Sequence, residues 1–286
     1  MTHVKLISGK AATVREHLTN RSDSRCTLYK SEWFSIVETL SEKYGSSVKG
    51  RRILEVGAGV HNPLASAILA VAKGAAFAVG AEPGRISTAF FEDALTTSLI
   101  AGSQFPAAHI LSSITHELVM RVVSPDELLP VNIELAASIL LANSTLEQAS
   151  FEGYFDIFHS NAVLEHIMDF EGFLKTVHAV GSPRSLHIHK IDFIDHRFYD
   201  VVAPVPIDGF RFLLKNEPAE DEQCNRLRIS EMIDAYERHG FELLNIEKRW
   251  LRAFPDEYFE VLPERFRSLD RESLETIGAI VCLRKL

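Results

Sequence analysis

Ile53-Leu54-Glu55-Val56-Gly57-Ala58-Gly59-Val60-His61-Asn62 is the stretch that decides the fold. An apolar strand over Arg52 to Val56, carrying one acidic residue, runs into two glycines spaced by one. Asn62-Pro63 follows and reads as a helix start, with Asn at the N-cap and Pro in the first turn. Strand, glycine loop and helix form the unit with which an open α/β sheet presents the carboxyl end of a strand to an adenosine-containing ligand. The dinucleotide fingerprint would place its third glycine at position 62, where this chain has Asn62.

Working outward, Leu28 to Tyr44 has Phe34, Val37, Leu40 and Tyr44 at helical spacing, and Gly45-Ser46-Ser47 ends it. The helix from Pro63 stops near Lys73-Gly74, where glycine suits a helix end. Strands are expected at Ala76 to Gly80, Ile139 to Ala142, Tyr154 to His159, Ser185 to Ile191, Phe241 to Ile246 and Thr276 to Leu283. Asp169 caps a helix with Phe170, Phe173, Leu174 and Val177 on one face, and Gly181 and Pro183 end it. Ser230 caps another that stops at Gly240.

Strands alternating with helices imply an α/β fold: a Rossmann-like, mostly parallel sheet covered by helices on both faces. Strand, insertion, strand at the end, with no regular crossover helix, gives an antiparallel last strand. The expected organisation is an N-terminal helical cap over 1–49 and a Rossmann-like domain over 50–286. Insertions fall at about 85–135 and 250–274, the first of them helical.

The chain has 286 residues, 46% hydrophobic content and a net charge of −9. That supports a large core and gives no default nucleic-acid or anionic-membrane partner. Cys26, Cys224 and Cys282 stand far apart, so no disulfide framework or C-x-x-C pair is present, and reduced thiols in a cytoplasm are expected. The opening residues lack the continuous apolar stretch of a signal peptide. Leu64 to Ala81 is the most membrane-like run, but Lys73-Gly74 divides it into a packed helix and a buried strand. A soluble, cytoplasmic protein is expected.

Gly57 and Gly59 allow a sharp turn and a close ligand. Glu82 ends the second strand, where a carboxylate can accept hydrogen bonds from both hydroxyls of a ribose. A tight turn beside a surface glutamate is the bland alternative. Further on, Phe155-Asp156-Ile157-Phe158-His159-Ser160-Asn161-Ala162-Val163-Leu164-Glu165-His166 precedes a helix, a Gly-Ser-Pro turn and a strand. Glycine loop, Glu82 and this run, in order, resemble the class I S-adenosylmethionine-dependent methyltransferases over roughly residues 50–191, and more loosely at Gly240-Phe241-Glu242 and the last strand.

The resemblance implies S-adenosylmethionine as cofactor. Glu55, Gly57, Ala58 and Gly59 would line its methionine end and Glu82 would hold its ribose. Ser160 and Asn161 would lie beneath the methionine moiety, facing the transferred methyl. Two departures stand out: His61 replaces a frequent third glycine, and Asn143 or Ser144 stands where an adenine-side Asp is frequent. Asp156 and Glu165-His166 also fit structural roles at the sheet and the following loop.

His187, His189, Asp192, Asp195 and His196 cluster at the fifth strand and the loop beyond it. Such a set can wall a polar pocket, supply a general base, or hold a metal, ranked in that order; no metal is expected. His196 or Asp195 are first candidates for a base, then His159 or His166. The runs His189 to His196 and Asn225 to Arg228 resemble bacterial methyltransferases of this class from surface-glycan and secondary-metabolite pathways. They imply a small polar or glycan-like acceptor, methylated on oxygen. Arg226 and Arg228 could pair with an acidic substrate group or form surface ion pairs. A homodimer is compatible with the sequence.

Two rivals stand beside a methyltransferase. An NAD(P)-dependent oxidoreductase would share Gly57, Gly59 and Glu82, yet lacks the third glycine and gives the Leu-Glu-His segment no role. A non-catalytic binding subunit that kept the fold would explain the two departures.

Overall fold

The computed structural model describes residues 24–59, 65–82, 139–142, 155–196, 208–217 and 224–286. The expected insertion over 85–135, the helix start at Asn62-Pro63, His61, Asn143 and Ser144 lie outside them. Among the described residues, no helix is long and apolar enough to cross a membrane.

The elements are α1 (Ser24–Lys43), β1 (Arg52–Val56), α2 (Ala65–Ala72), β2 (Phe77–Ala81), β3 (Ile139–Ala142), β4 (Phe155–Asn161), α3 (Phe170–Val180), β5 (Gly181–Asp192), α4 (Ile229–Arg238), β6 (Phe241–Leu251) and β7 (Thr276–Lys285). Short 3-10 turns lie at Leu164–His166 and Asp208–Leu214, and three short helices between β6 and β7. The strands hydrogen-bond in the order β3-β2-β1-β4-β5-β7-β6. β1 runs parallel to both β2 and β4, and β2 to β3. β7 runs antiparallel to β6, from Phe241 opposite Lys285 to Leu251 opposite Thr276. The sheet is therefore the expected mixed α/β sheet with an antiparallel end. The chain passes from β1 outward to β2 and β3 on one side, and β4, which follows β3, lies on the other side of β1, which makes the carboxyl end of β1 a topological switch point.

Two compact units make up the fold. One takes in the described residues up to His159 together with Val180–Leu186; the other takes in Ser160–Ala179 and His187–Leu286. In the first, α1 buries Trp33, Phe34 and Val37, and the strands bury Ile53, Leu54, Val79, Phe155, Ile157 and Phe158. Asp156 stands near the amino end of β4. Its carboxylate accepts the Arg52 amide and the Ser182 hydroxyl, both at 3.0 Å, which is a structural role.

In the second unit, Phe173, Leu174 and Val177 of α3 and Met232 and Tyr236 of α4 are buried, as are Ile280 to Leu283 of β7. A separate apolar cluster joins Phe210, Phe212, Phe254, Leu262, Phe266 and Leu274. This gives the expected irregular segment over 250–274 an organised core.

Several element boundaries differ from the sequence reading, β6 for one reaching Leu251 where Ile246 was expected, and two of the differences have a clear local cause. β5 begins at Gly181, directly after α3, so Gly181 and Pro183 open a long strand where a turn was expected. Helix α4 is capped differently from the Ser230 expectation. Glu231 reaches back to accept the Arg228 amide at 2.9 Å, while the Ser230 hydroxyl pairs with Ser273 at 2.8 Å.

Arg228 is fully buried. Its guanidinium donates to the carbonyls of Phe193 and Leu274 at 2.7 Å each, and also to those of Ser273 and Thr276. It lies over the Phe193 ring at 5.2 Å, and burial lowers its pKa to about 9. Replacing it strands several buried carbonyls. Arg228→Met should destabilise the protein by about 3 kcal/mol or more, read from the shift of the urea midpoint at unchanged slope; a loss below about 0.5 kcal/mol would contradict this role.

Candidate functional site

The glycine loop leaves β1 with φ of +66° at Gly57 and +79° at Gly59, a region open to glycine and costly for other residues. No atom of the described residues lies within 4 Å of where a Cβ on Gly59 would sit. Backbone conformation, not crowding by the described residues, is what requires the glycine here. The Gly59 amide donates to Glu82 Oε2 at 2.7 Å, and the Ala58 amide to the Ala81 carbonyl at 3.0 Å. These bonds join the carboxyl ends of β1 and β2. Glu82 is buried, 8% exposed, beside the loop.

Glu55 is buried as well, and its Oε1 accepts the Ser66 hydroxyl of α2 at 3.0 Å. In the sheet it stands opposite Gly80 on one side and His159 on the other. The Nδ1 of His159 accepts from the Trp33 indole at 3.3 Å, with Phe34 edge-on to the ring at 5.9 Å. His159 is thus embedded against α1, which weakens its candidacy as a base. A ribose-bearing ligand fits this arrangement: a carboxylate at the end of β2, a glycine turn, and a switch point at β1. Glu55, Gly57, Ala58, Gly59 and Glu82 are the predicted cofactor residues that this unit brings together. Ser160 and Asn161 fall in the second unit.

In the second unit, Ser160 is buried and its hydroxyl lies 2.8 Å from His189 Nδ1. Asn161 is partly exposed at the end of β4. His187 and His189, expected to face substrate, are both fully buried. The His187 ring packs edge-on against Phe241 at 4.7 Å, and His189 lies 6.0 Å from Tyr236. Burial pushes the His187 pKa well below the ordinary value, and that of His189 down to about 3, so both are neutral core residues. Arg226 is also scaffold. Its guanidinium donates to the carbonyls of Lys215 and Glu217 at 2.9 Å, pinning that segment. With Arg228 it leaves the set of substrate candidates.

The remaining predicted residues converge with two that the sequence reading left aside, Glu165 and Cys224. Glu165, Asp192 and His196 place ligating atoms within 4.8 Å of one another, and so do His166, His196 and Cys224. The Asp192 amide donates to Glu165 Oε1 at 3.3 Å, and His196 Nε2 lies 3.8 Å from the same oxygen. The His166 and His196 rings meet edge to face at 4.7 Å. Burial, and secondarily the Asp192 charge, push the Glu165 carboxyl up to about 8. Burial, then the neighbouring His166, lower the pKa of His196. A neutral, half-buried imidazole keeps a lone pair that serves a proton or a metal ion. Asp195 is buried just beside this cluster in sequence, with its amide on the Gly209 carbonyl at 3.1 Å. Spelling alone held one signal for Glu165, the Leu164-Glu165-His166 run. Cys224 offered none.

The chain matches no protein-family model and no curated protein. Among solved structures it is similar to an S-adenosylmethionine-dependent methyltransferase from Mesorhizobium loti, at 15% identity over 89% of this chain and 98% of that one, with a TM-score of 0.44. It is similar to magnesium protoporphyrin IX methyltransferase from Synechocystis with bound SAH, at 10% identity over 90% of this chain and 83% of that one, TM-score 0.46. It is also similar to the [4+2]-cyclase SpnF, at 12% identity over 88% of this chain and 80% of that one, TM-score 0.47. Likenesses at this level do not assign an activity.

The buried histidines make stability pH-dependent in a stated direction. His189 binds its proton in the unfolded chain near 6.5 and in the folded one only near 3. Stability is therefore lost as pH falls below about 6.5, at up to about 1.4 kcal/mol per pH unit for each such histidine. Glu165 acts in the opposite sense between 4.5 and about 8, where the folded state binds the extra proton. His189→Gln leaves that contribution in place and should show a shallower loss of stability between pH 6 and about 4 in urea titrations. Equal slopes in the two proteins would contradict a buried, neutral His189.

Proposed function

We propose that this chain is an S-adenosylmethionine-dependent methyltransferase acting on oxygen of a small polar acceptor. The observation that carries the reading is the Glu82 carboxylate, held at the end of β2 on the Gly59 amide at 2.7 Å. When bound, S-adenosylmethionine supplies a methyl group on a sulfonium and leaves as a neutral thioether. Glu82 accepts hydrogen bonds from ribose hydroxyls, and the turn at Gly57 and Gly59 lets the backbone approach the ligand. Glu55, held by Ser66, shapes the methionine end. Asn161, partly exposed at the end of β4, remains the candidate from that strand, whereas the Ser160 hydroxyl is turned to His189.

A sulfonium needs little acid chemistry, so alignment supplies much of the rate. A hydroxyl acceptor still has to lose a proton. Of the base candidates, His166 and His196 keep some exposure, whereas His159 is embedded against α1 and Asp195 is buried. A glycan-like acceptor suits the cluster's polar donors.

Calorimetric titration with S-adenosylmethionine tests the reading. Saturable micromolar binding is expected, about −8 kcal/mol, and Glu82→Ala should weaken it by tenfold or more in a protein that still unfolds cooperatively, at a lower melting temperature. Absence of binding to the folded wild-type protein, with NADH or NADPH binding in its place, would overturn it in favour of an oxidoreductase. Binding that persists undiminished in Glu82→Ala would remove the role assigned to that carboxylate.

A further inference from the structure

We propose that a divalent transition-metal ion of the zinc type binds at His196 and takes its other ligands from among Glu165, His166, Asp192 and Cys224. The donor set mixes imidazole, thiol and carboxylate. That mixture suits zinc-like ions and is foreign to calcium or magnesium, which take oxygen donors. His196 belongs to both triads of ligating atoms, each contained within 4.8 Å. Zinc bonds of about 2.0–2.3 Å place tetrahedral ligands about 3.3–3.8 Å apart, so binding requires the side chains to close by about 1 Å. His166 is exposed and His196 partly so, and both rings can make that adjustment.

The backbone around the donors is already fixed. Asn225, the neighbour of Cys224, donates from its amide to the Glu165 carbonyl at 2.7 Å. Its side-chain amide donates to the carbonyls of Leu164 and Ile167 at 2.7 and 2.9 Å. The turn that carries Glu165 and His166 is thereby tied to the segment that carries Cys224. Independently, Glu165 Oε2 is buried with no hydrogen-bond partner among the described residues, in a side chain only 3% exposed. A second buried carboxylate, Asp192, lies beside it. Two adjacent buried carboxyl groups with an unsatisfied oxygen make an acceptor-rich pocket that a proton or a cation has to fill. An ion held by His196 fills it.

The test is titration of the metal-stripped full-length protein with Co(II), followed by displacement with Zn(II). One equivalent of Co(II) should bind, with visible d–d absorption and a thiolate-to-metal charge-transfer band in the near ultraviolet. His196→Ala should abolish binding. Cys224→Ser should remove the charge-transfer band and weaken binding, and Cys282→Ser should change neither. Should His196→Ala fail to fold, Glu165→Gln serves in its place and should lower Zn(II) affinity tenfold or more. No cobalt spectrum from folded wild-type protein would overturn the proposal, as would undiminished binding in His196→Ala or Glu165→Gln. A charge-transfer band that survives in Cys224→Ser would overturn the sulfur ligand.

Discussion

The bond from the Gly59 amide to the Glu82 carboxylate fixes what the first unit can do. It requires β1 and β2 to end side by side, which their parallel register provides, with Val56 opposite Ala81. It also requires the chain to turn through positive φ at Gly57 and Gly59 within a few residues of the strand end. A charge-assisted bond of this kind contributes about 1.5–3 kcal/mol. Its larger effect is to hold a carboxylate at the switch point of the sheet. Glu55 repeats the device one layer back, where Ser66 of α2 ties the helix to the strand it follows. Ligand-facing geometry and core packing thus share the same few residues.

The second unit is organised by arginines that look like surface cations and act as buried clamps. Arg228 gathers carbonyls from the end of β5 and from the segment leading into β7. Arg226, three residues before the start of α4, gathers those of 215–217. Between them the chain holds Cys224 and Asn225 against the turn after β4. The polar cluster around His196 follows from that arrangement: its members come from the turn after β4, the end of β5 and the segment entering α4.

Much of the sheet was legible because its signals are local. The Arg52–Val56 and Ile139–Ala142 strands have the expected bounds, and Gly74 ends α2 with φ +90°. The Asp169 side chain caps α3 through the Gly172 amide at 2.9 Å, as its position before an amphipathic run suggests. Strand and acid at the right spacing singled out Gly59 and Glu82, though not the bond between them. The rest depended on partners far away in sequence. Nothing local distinguishes an arginine bound for the surface from one that will be enclosed by carbonyls 35 to 48 residues distant. Alternation correctly put His187 and His189 on one face of a strand, but it did not say that the face would be packed by Phe241 and Tyr236. Cys224 became chemically interesting only through its spatial neighbours.

The central claim is that the Gly59–Glu82 corner receives an adenosyl group. A crystal structure of the protein grown with S-adenosylhomocysteine tests it most directly. The account predicts ribose hydroxyls within hydrogen-bond distance of the Glu82 carboxylate and the ligand passing over Gly57 to Gly59. A ligand bound elsewhere, with this corner unchanged, would contradict it.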